Sequence, residues 1–405
     1  MSKNLILFSC VVSLALAIGT PASAAKPLKV FILVGQSNMQ GHAAVRTFEH
    51  LEMDPESRLL LQSMVDDEGN PKAVENVWIT SIGNDGTEKE QHGQLIAGYG
   101  AAGREPKIGP ELTFGIKMQE ALNEPILLIK TAWGGKSLNT DFRSPSAGPY
   151  EFNENQLQNF EKQGKDVDAE TAAKQEAVGR YYRLMLAHVR HVLQDIKRVC
   201  PDYDPDAGYE LAGFVWFQGW NDMVDRGTYP ERGNPGGYDQ YSDALAHFIR
   251  DVRKELDAPK MPFVIGVMGA GGPVEKYGPS QRRYAAIHSG FRNAMAAPAD
   301  LPEFRGNVMV VRTEESWDDQ LGELSQRWGQ VNAKRRQLQQ DESLTPDERK
   351  QALDEFTAEL YTPEELTILE VGKSNAEYHY LGSGKIMANI GKAFAEAQTP
   401  CQCWP

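Results

Sequence analysis

Leu28-Lys29-Val30-Phe31-Ile32-Leu33-Val34-Gly35-Gln36-Ser37-Asn38-Met39 is the stretch from which the rest of the chain can be read. Apart from Lys29, Leu28 to Val34 is apolar on consecutive positions and rich in β-branched residues, the pattern of a strand buried on both faces. It stops at a glycine followed by small polar residues, so the chain leaves the strand through a tight turn. Four further runs read the same way: Pro125 to Thr131, Leu211 to Phe217, Pro262 to Met268 and Asn307 to Arg312. Helical spacing fills the intervals, at Glu111 to Ala121, about Ala169 to Val199, Tyr238 to Leu256 and Ser280 to Ala296, with a last amphipathic stretch from Ser383 to Ala397. Strands that alternate with helices predict an α/β fold, a doubly wound three-layer α/β/α sandwich on a five-stranded parallel sheet. In such a sheet ligands bind at the carboxyl ends of the strands, so the chemistry is expected in the loops just after those runs.

Two decorations interrupt the alternation. Gly41 to Gly109 is turn-rich and reads as an elaborated rim. Asp318 to Leu360 is highly charged, with Leu321, Leu324, Trp328, Val331 and Leu338 on one helical face and a capping-box signal at Thr345-Pro346-Asp347-Glu348. This predicts a helical hairpin inserted at 318–360, packed on the body with a solvated outer face. Thr362-Pro363-Glu364-Glu365 repeats the cap signal.

At the amino end, Lys3, the apolar run Leu5 to Ile18 and Ala22-Ser23-Ala24 form the three parts of a signal peptide. The run is too short for a membrane span, which needs about 20 apolar residues. Residues 1–24 are therefore expected to be removed on export to the periplasm or the medium, leaving one domain over 25–397 and a cysteine-bearing tail over 398–405. In an oxidising compartment Cys200 is expected to bridge to Cys401 or Cys403. The chain has 405 residues, with 56 acidic against 42 basic side chains and a formal charge of −14. That balance repels phosphate backbones and excludes nucleic acid as a partner.

The strand ends carry the candidates. Ser37 stands where a nucleophile would face the crevice. After the second core strand, Thr131-Ala132-Trp133-Gly134-Gly135-Lys136-Ser137 supplies paired glycines that let backbone amides approach a ligand, as an oxyanion site requires. After the third, Trp216-Phe217-Gln218-Gly219-Trp220-Asn221-Asp222 offers the amide of Gln218. Near the end, Glu377-Tyr378-His379-Tyr380-Leu381-Gly382 places a histidine ahead of the last helix, while His188, His191, His247 and His288 fall inside helical patterns. His379 is the candidate general base. Trp133, Trp220 and Tyr378 are candidate platforms for a sugar ring. Gly98 to Gly103 matches a dinucleotide fingerprint in letters but follows no strand, and no His or Cys cluster has metal spacing, so neither cofactor nor metal is expected.

Taken together, Gly35-Gln36-Ser37-Asn38-Met39, Ile108-Gly109-Pro110-Glu111-Leu112 and Lys130-Thr131-Ala132-Trp133-Gly134-Gly135 resemble the SGNH hydrolases, in the branch of sialate O-acetylesterases and acetylxylan esterases. The resemblance spans most of Leu28 to Ala397 and implies a flavodoxin-like sheet. It implies Ser37 as nucleophile, with the oxyanion held by the Ser37 N–H, Gly134 or Gly135, and Gln218. The triad acid departs from the pattern: Trp220 stands where that branch has Glu, and Ala376 where it has Asp, although Asp222 keeps the second carboxylate of the third block. Neighbouring Asn375 and Glu377 are polar. The order of expectation for the group that orients His379 is Asp222, then Glu377, then a backbone carbonyl. The implied function is a serine esterase that removes O-acetyl groups from carbohydrate without a cofactor. The alternatives are an esterase for other small acyl esters and a non-catalytic carbohydrate-binding protein on the same scaffold.

Overall fold

The computed structural model describes residues 26–399. The signal-peptide reading and the tail cysteines Cys401 and Cys403 lie outside the described residues. Cys200 itself is buried, which pushes its thiol up to about 11.

Seven strands form one sheet: β1 (Leu28–Gly35), β2 (Val77–Ile82), β3 (Gln91–Gln94), β4 (Ile126–Ala132), β5 (Tyr209–Phe217), β6 (Phe263–Val267) and β7 (Val308–Arg312). Their order is β3-β2-β4-β1-β5-β6-β7, parallel throughout except for the edge pair β2 and β3. Five strands were expected and two more are present, both inside the turn-rich rim. β3 reads Gln-His-Gly-Gln and is exposed, so it carries no apolar pattern to detect. β2 is a buried six-residue run that the surrounding turn residues obscured.

β1 shows why the sheet needs a layer on each face. Val30, Ile32 and Val34 belong to one core, with side chains from helices Arg180–Gln194, Asp239–Glu255 and Ala285–Ala296. Phe31 and Leu33 belong to the other, with helices Glu111–Leu122 and Gly384–Gln398. Each such side chain taken fully from water stabilises the fold by about 1.5–3 kcal/mol. The long helix expected over Ala169 to Val199 is two helices, Val167–Ala177 and Arg180–Gln194. Gly179 divides them at φ +68, and a Cβ there would meet the Arg143 carbonyl oxygen at 2.7 Å.

Helices Asp319–Gln340 and Pro346–Leu360 make the hairpin, and the capping boxes at Thr345 and Thr362 are both formed. Leu321, Leu324, Val331 and Leu338 are buried, as the spacing predicts. No described helix is long and apolar enough to cross a membrane.

Register brings the loops together. Gly35 at the end of β1 is paired with Ala132 of β4 and with Phe217 of β5, so three strands end on one rung. The segments that follow start side by side.

Candidate active site

The turn after β1 is held from three directions, by β5, by the loop after β5 and by the core beneath it. Gly35 lies so close to β5 that a Cβ would meet the Phe217 carbonyl oxygen at 2.1 Å. Gln36 then turns its side chain toward the third loop, where its Oε1 accepts from Gly219 N, Asn221 N and Gln218 Nε2 at 3.3–3.4 Å. Ser37 opens the single helical turn Ser37–Gln40 and is buried except for a small exposed part. Beneath that turn lies a charged pair with no access to water: Lys130 Nζ donates to Glu111 Oε2, to the Gln40 carbonyl and to the Tyr99 carbonyl, each at 2.8 Å. The other carboxylate oxygen of Glu111 accepts from Gly109 N at 2.9 Å. A Cβ on Gly109 would meet that carboxylate at 2.4 Å, which accounts for Gly-Pro-Glu ahead of the helix and for Lys130 inside a core strand. Burial lowers the Lys130 pKa, and Glu111 beside it acts in the opposite direction. A buried pair satisfied this fully is costly to break from either end.

Gly134 comes directly against Ser37. A Cβ at Gly134 would stand 3.0 Å from Gln40 Oε1 and 3.9 Å from Ser37 Cβ. Its N–H has no acceptor among the described residues. The N–H of Ser37, first in its helical turn, has no intrahelical acceptor either. Two backbone donors therefore border Ser37. Gly135 takes φ +75 with open space where a side chain would go.

His379 reaches the serine turn on a strained loop. Tyr380 and Leu381 have φ of +51° and +60° and Gly382 of +59°, a conformation that costs bulky residues about 1–3 kcal/mol each. The surroundings enforce it. Tyr380 is fully buried, its hydroxyl accepting from Gly269 N at 2.7 Å and lying 2.6 Å from Thr313 Oγ1. Asn38 Nδ2 donates to the Tyr378 carbonyl at 3.2 Å and ties the loop to the residue after Ser37.

His379 Nδ1 stands 3.0 Å from Asn375 Oδ1, and that oxygen also accepts from Ala376 N at 2.8 Å. The backbone donor identifies the amide atom as oxygen, which can only accept. Nδ1 therefore carries the proton and Nε2 is bare, the tautomer a general base needs. Burial, with the Lys107 cation, holds the His379 pKa down at about 4. The ring is therefore neutral in neutral solution.

Several expectations for other residues need correction. Asp222 does not approach His379. It is fully buried and accepts from Leu138 N, Asn139 N, Gln218 Nε2 and Tyr229 OH at 2.6–3.2 Å, bracing the glycine loop against the third loop. Burial raises its pKa to about 6. Gln218 is likewise committed: its two amide protons face Gln36 Oε1, the Lys136 carbonyl and Asp222, leaving none for an oxyanion. Glu377, the alternative acid, accepts from Gln281 Nε2 at 2.9 Å and makes no hydrogen bond to His379, whose Nδ1 is taken by Asn375. Trp133 is 1% exposed, packed on Phe142 and Tyr181 with Nε1 donating to the Thr87 carbonyl, so it offers no face to a sugar. Trp220 and Tyr378 do pair, with ring centroids 5.6 Å apart, on the wall of a cavity of about 450 Å³ that Arg226, Arg232 and Gln281 also line. Trp220, which stands where the resemblance implies Glu, thus lines this cavity.

Sequence reasoning missed two groups. Asn375 was visible as a polar neighbour, but four residues before the histidine it lay outside the expected three-residue spacing. His42 carried no motif signal at all, and its ring lies against His379. Among the described residues no three His, Cys, Asp or Glu side chains stand together as metal ligands.

The family described as carbohydrate esterase, sialic acid-specific acetylesterase matches residues 27–300, a span that includes Ser37, Gly134 and Gln218 and ends before Asn375 and His379. None of the curated proteins matches the chain. Among solved structures, a protein of Arabidopsis thaliana is 15% identical over 71% of this chain and 86% of its own, with a TM-score of 0.36. A carbohydrate acetylesterase from Xanthomonas citri is 13% identical over 70% of this chain, which spans about half (49%) of that protein, with a TM-score of 0.36. NanS is 12% identical over 72% of this chain and 78% of its own, again with a TM-score of 0.36.

Proposed function

We propose that this chain, which belongs to the carbohydrate esterase, sialic acid-specific acetylesterase family, removes O-acetyl groups from carbohydrate through an acyl-enzyme on Ser37 after export. The export reading rests on Lys3, the Leu5 to Ile18 run and Ala22-Ser23-Ala24. The observation that carries the mechanism is the hydrogen bond between His379 and Asn375, because it leaves Nε2 bare on a loop tied to the serine turn.

In this reading Ser37 Oγ attacks the acetyl carbonyl and its proton passes to His379 Nε2. The oxyanion is held by the N–H groups of Ser37 and Gly134, which stand ready without rearrangement. Collapse of the tetrahedral intermediate returns the proton to the departing sugar oxygen. Water, deprotonated by the same Nε2, then releases acetate. The sugar ring lies on Trp220 and Tyr378 in the adjoining cavity, where Arg226, Arg232 and Gln281 offer donors to its hydroxyls. Asn375 fixes the tautomer but adds no negative charge, so the imidazolium is stabilised less than by a carboxylate. The low pKa of His379 follows from the same environment: activity should persist well into acid and fall only as pH drops through about 4.

The test is acetate release from O-acetylated sialic acid and from acetylated xylan by the mature protein and by Ser37→Ala, with a fluorophosphonate adduct mapped by mass spectrometry. The reading predicts release that vanishes in the variant and an adduct on Ser37. Binding of either glycan without release of acetate would favour the carbohydrate-binding alternative, and release from small acetyl esters alone would favour the general esterase.

A further inference from the structure

His42 has no part in the proton path, yet its ring lies flat on that of His379, with centroids 3.9 Å apart and planes 2° from parallel. The local chain is built to put it there. Gly41 has φ +88, and a Cβ would meet Gly109 Cα at 2.1 Å, so the turn that delivers residue 42 requires glycine. Ala43–Ala44 then pairs antiparallel with Lys107–Ile108. Ser374 of the histidine loop is stitched to the same segment: its Oγ accepts from Ala44 N at 3.1 Å and lies 3.3 Å from the His42 carbonyl oxygen. Segments 330 residues apart thus hold the two rings face to face.

The contact is not polar. His42 Nε2 is buried and has no hydrogen-bond partner among the described residues. Buried polar atoms are nearly always paired, so a ring kept there without a partner is kept for its face. The charges around the two rings are cationic: Lys107 acts on both, and Lys130, itself paired with Glu111, acts on His42. Tyr378 closes the outer side of His379 edge-on, with centroids 4.5 Å apart. No carboxylate hydrogen-bonds to either ring among the described residues.

We propose that His42 is a positioning residue of the esterase reaction, its stacked ring fixing the plane of His379 so that Nδ1 stays on the Asn375 oxygen and Nε2 stays free to take the Ser37 proton. The proposal rests on the reading of His379 as the base. One hydrogen bond to a neutral amide leaves an imidazole free to pivot about that bond, and the stack removes the pivot. Burial, then His379 itself and the Lys107 and Lys130 cations, hold the His42 pKa down at about 3, so His42 is uncharged in neutral solution. A charged ring at that distance would oppose the transfer.

The experiment compares kcat, KM and the acid limb of kcat/KM for His42→Ala, His42→Phe and His379→Ala on a small activated acetyl ester. In His42→Ala we expect kcat to fall by up to about a hundredfold with KM nearly unchanged, since misplacing a reacting group costs that much. The acid limb should also move to higher pH, because water reaches His379 and the effect of burial relaxes. His42→Phe keeps a flat ring and should retain kcat within a few-fold of the parent, with the limb still low. Parental kcat and limb in His42→Ala would overturn the proposal. So would a folded His42→Phe as slow as His42→Ala, since the imidazole itself would then be required. Should His42→Ala fail to fold, the activity of His42→Phe decides alone. Loss of turnover in His379→Ala supports the base assignment; full turnover there would overturn that assignment, and the positioning role with it.

Discussion

The two halves of the site are built on opposite plans. On the serine side, the Ser37 turn sits over a closed network in which Lys130, Glu111, Gly109 and Gln40 satisfy one another by charge and backbone contacts. On the histidine side, the base depends on one neutral hydrogen bond, a ring stack and a backbone forced into positive φ by the burial of Tyr380. The first half is made rigid by electrostatics within the core. The second is held in place by packing around a strained loop. A site can therefore retain its nucleophile and oxyanion donors unchanged while the support of its base is rebuilt from different chemistry.

Substitutions can break or sharpen that contrast. The largest effect is expected from Ser37→Ala, which should lower turnover by about 10⁴-fold or more with the fold intact, read as acetate release alongside an unchanged melting curve. Next is Lys130→Met, which leaves Glu111 charged and unpaired under the turn. Denaturant titration should show a loss of about 3–5 kcal/mol, and an unchanged midpoint would mean that the serine side does not depend on the pair.

Asn375 probes the other half. Asn375→Ala should cost about tenfold in kcat, the worth of one hydrogen bond, with stability nearly unchanged. Asn375→Asp should move the acid limb of kcat/KM upward from about 4, because an adjacent carboxylate favours the imidazolium and the base must be deprotonated to act. A limb that stays in place would show that Asn375 does not contact the working form of His379. The smallest effect belongs to the sugar wall. Trp220→Ala should raise KM for an acetylated saccharide by about two- to tenfold, the worth of a ring contact, and leave a small acetyl ester nearly unaffected.

Legibility followed the same division. Ser37, Gly134 and the sheet could be read because the residues that define them are contiguous and apolar or glycine-rich. β3 could not, since Gln91 to Gln94 carry no apolar signal. The group that orients His379 was misread for a geometric reason: Asp222 has the right chemistry, but its four donors all lie in the loops after β4 and β5. Asn375 is a neutral side chain one residue away from the expected spacing, and it reaches Nδ1 because the loop between Ala376 and Gly382 folds back on itself. Only the backbone angles of Tyr380 and Leu381 reveal that fold, and no sequence periodicity encodes them.

The shared rung on which Gly35, Ala132 and Phe217 end gives the three loops that follow a common origin. Beyond that rung the chain can lengthen freely, as it has between residues 41 and 109 and again in the helical hairpin, without changing where Ser37 and Gly134 begin. Growth of the rim and constancy of the chemistry are therefore compatible in this architecture. The only change that would separate the loops is a slip inside the ladder itself, and a slip of one residue would carry Val30, Ile32 and Val34 from one core to the other.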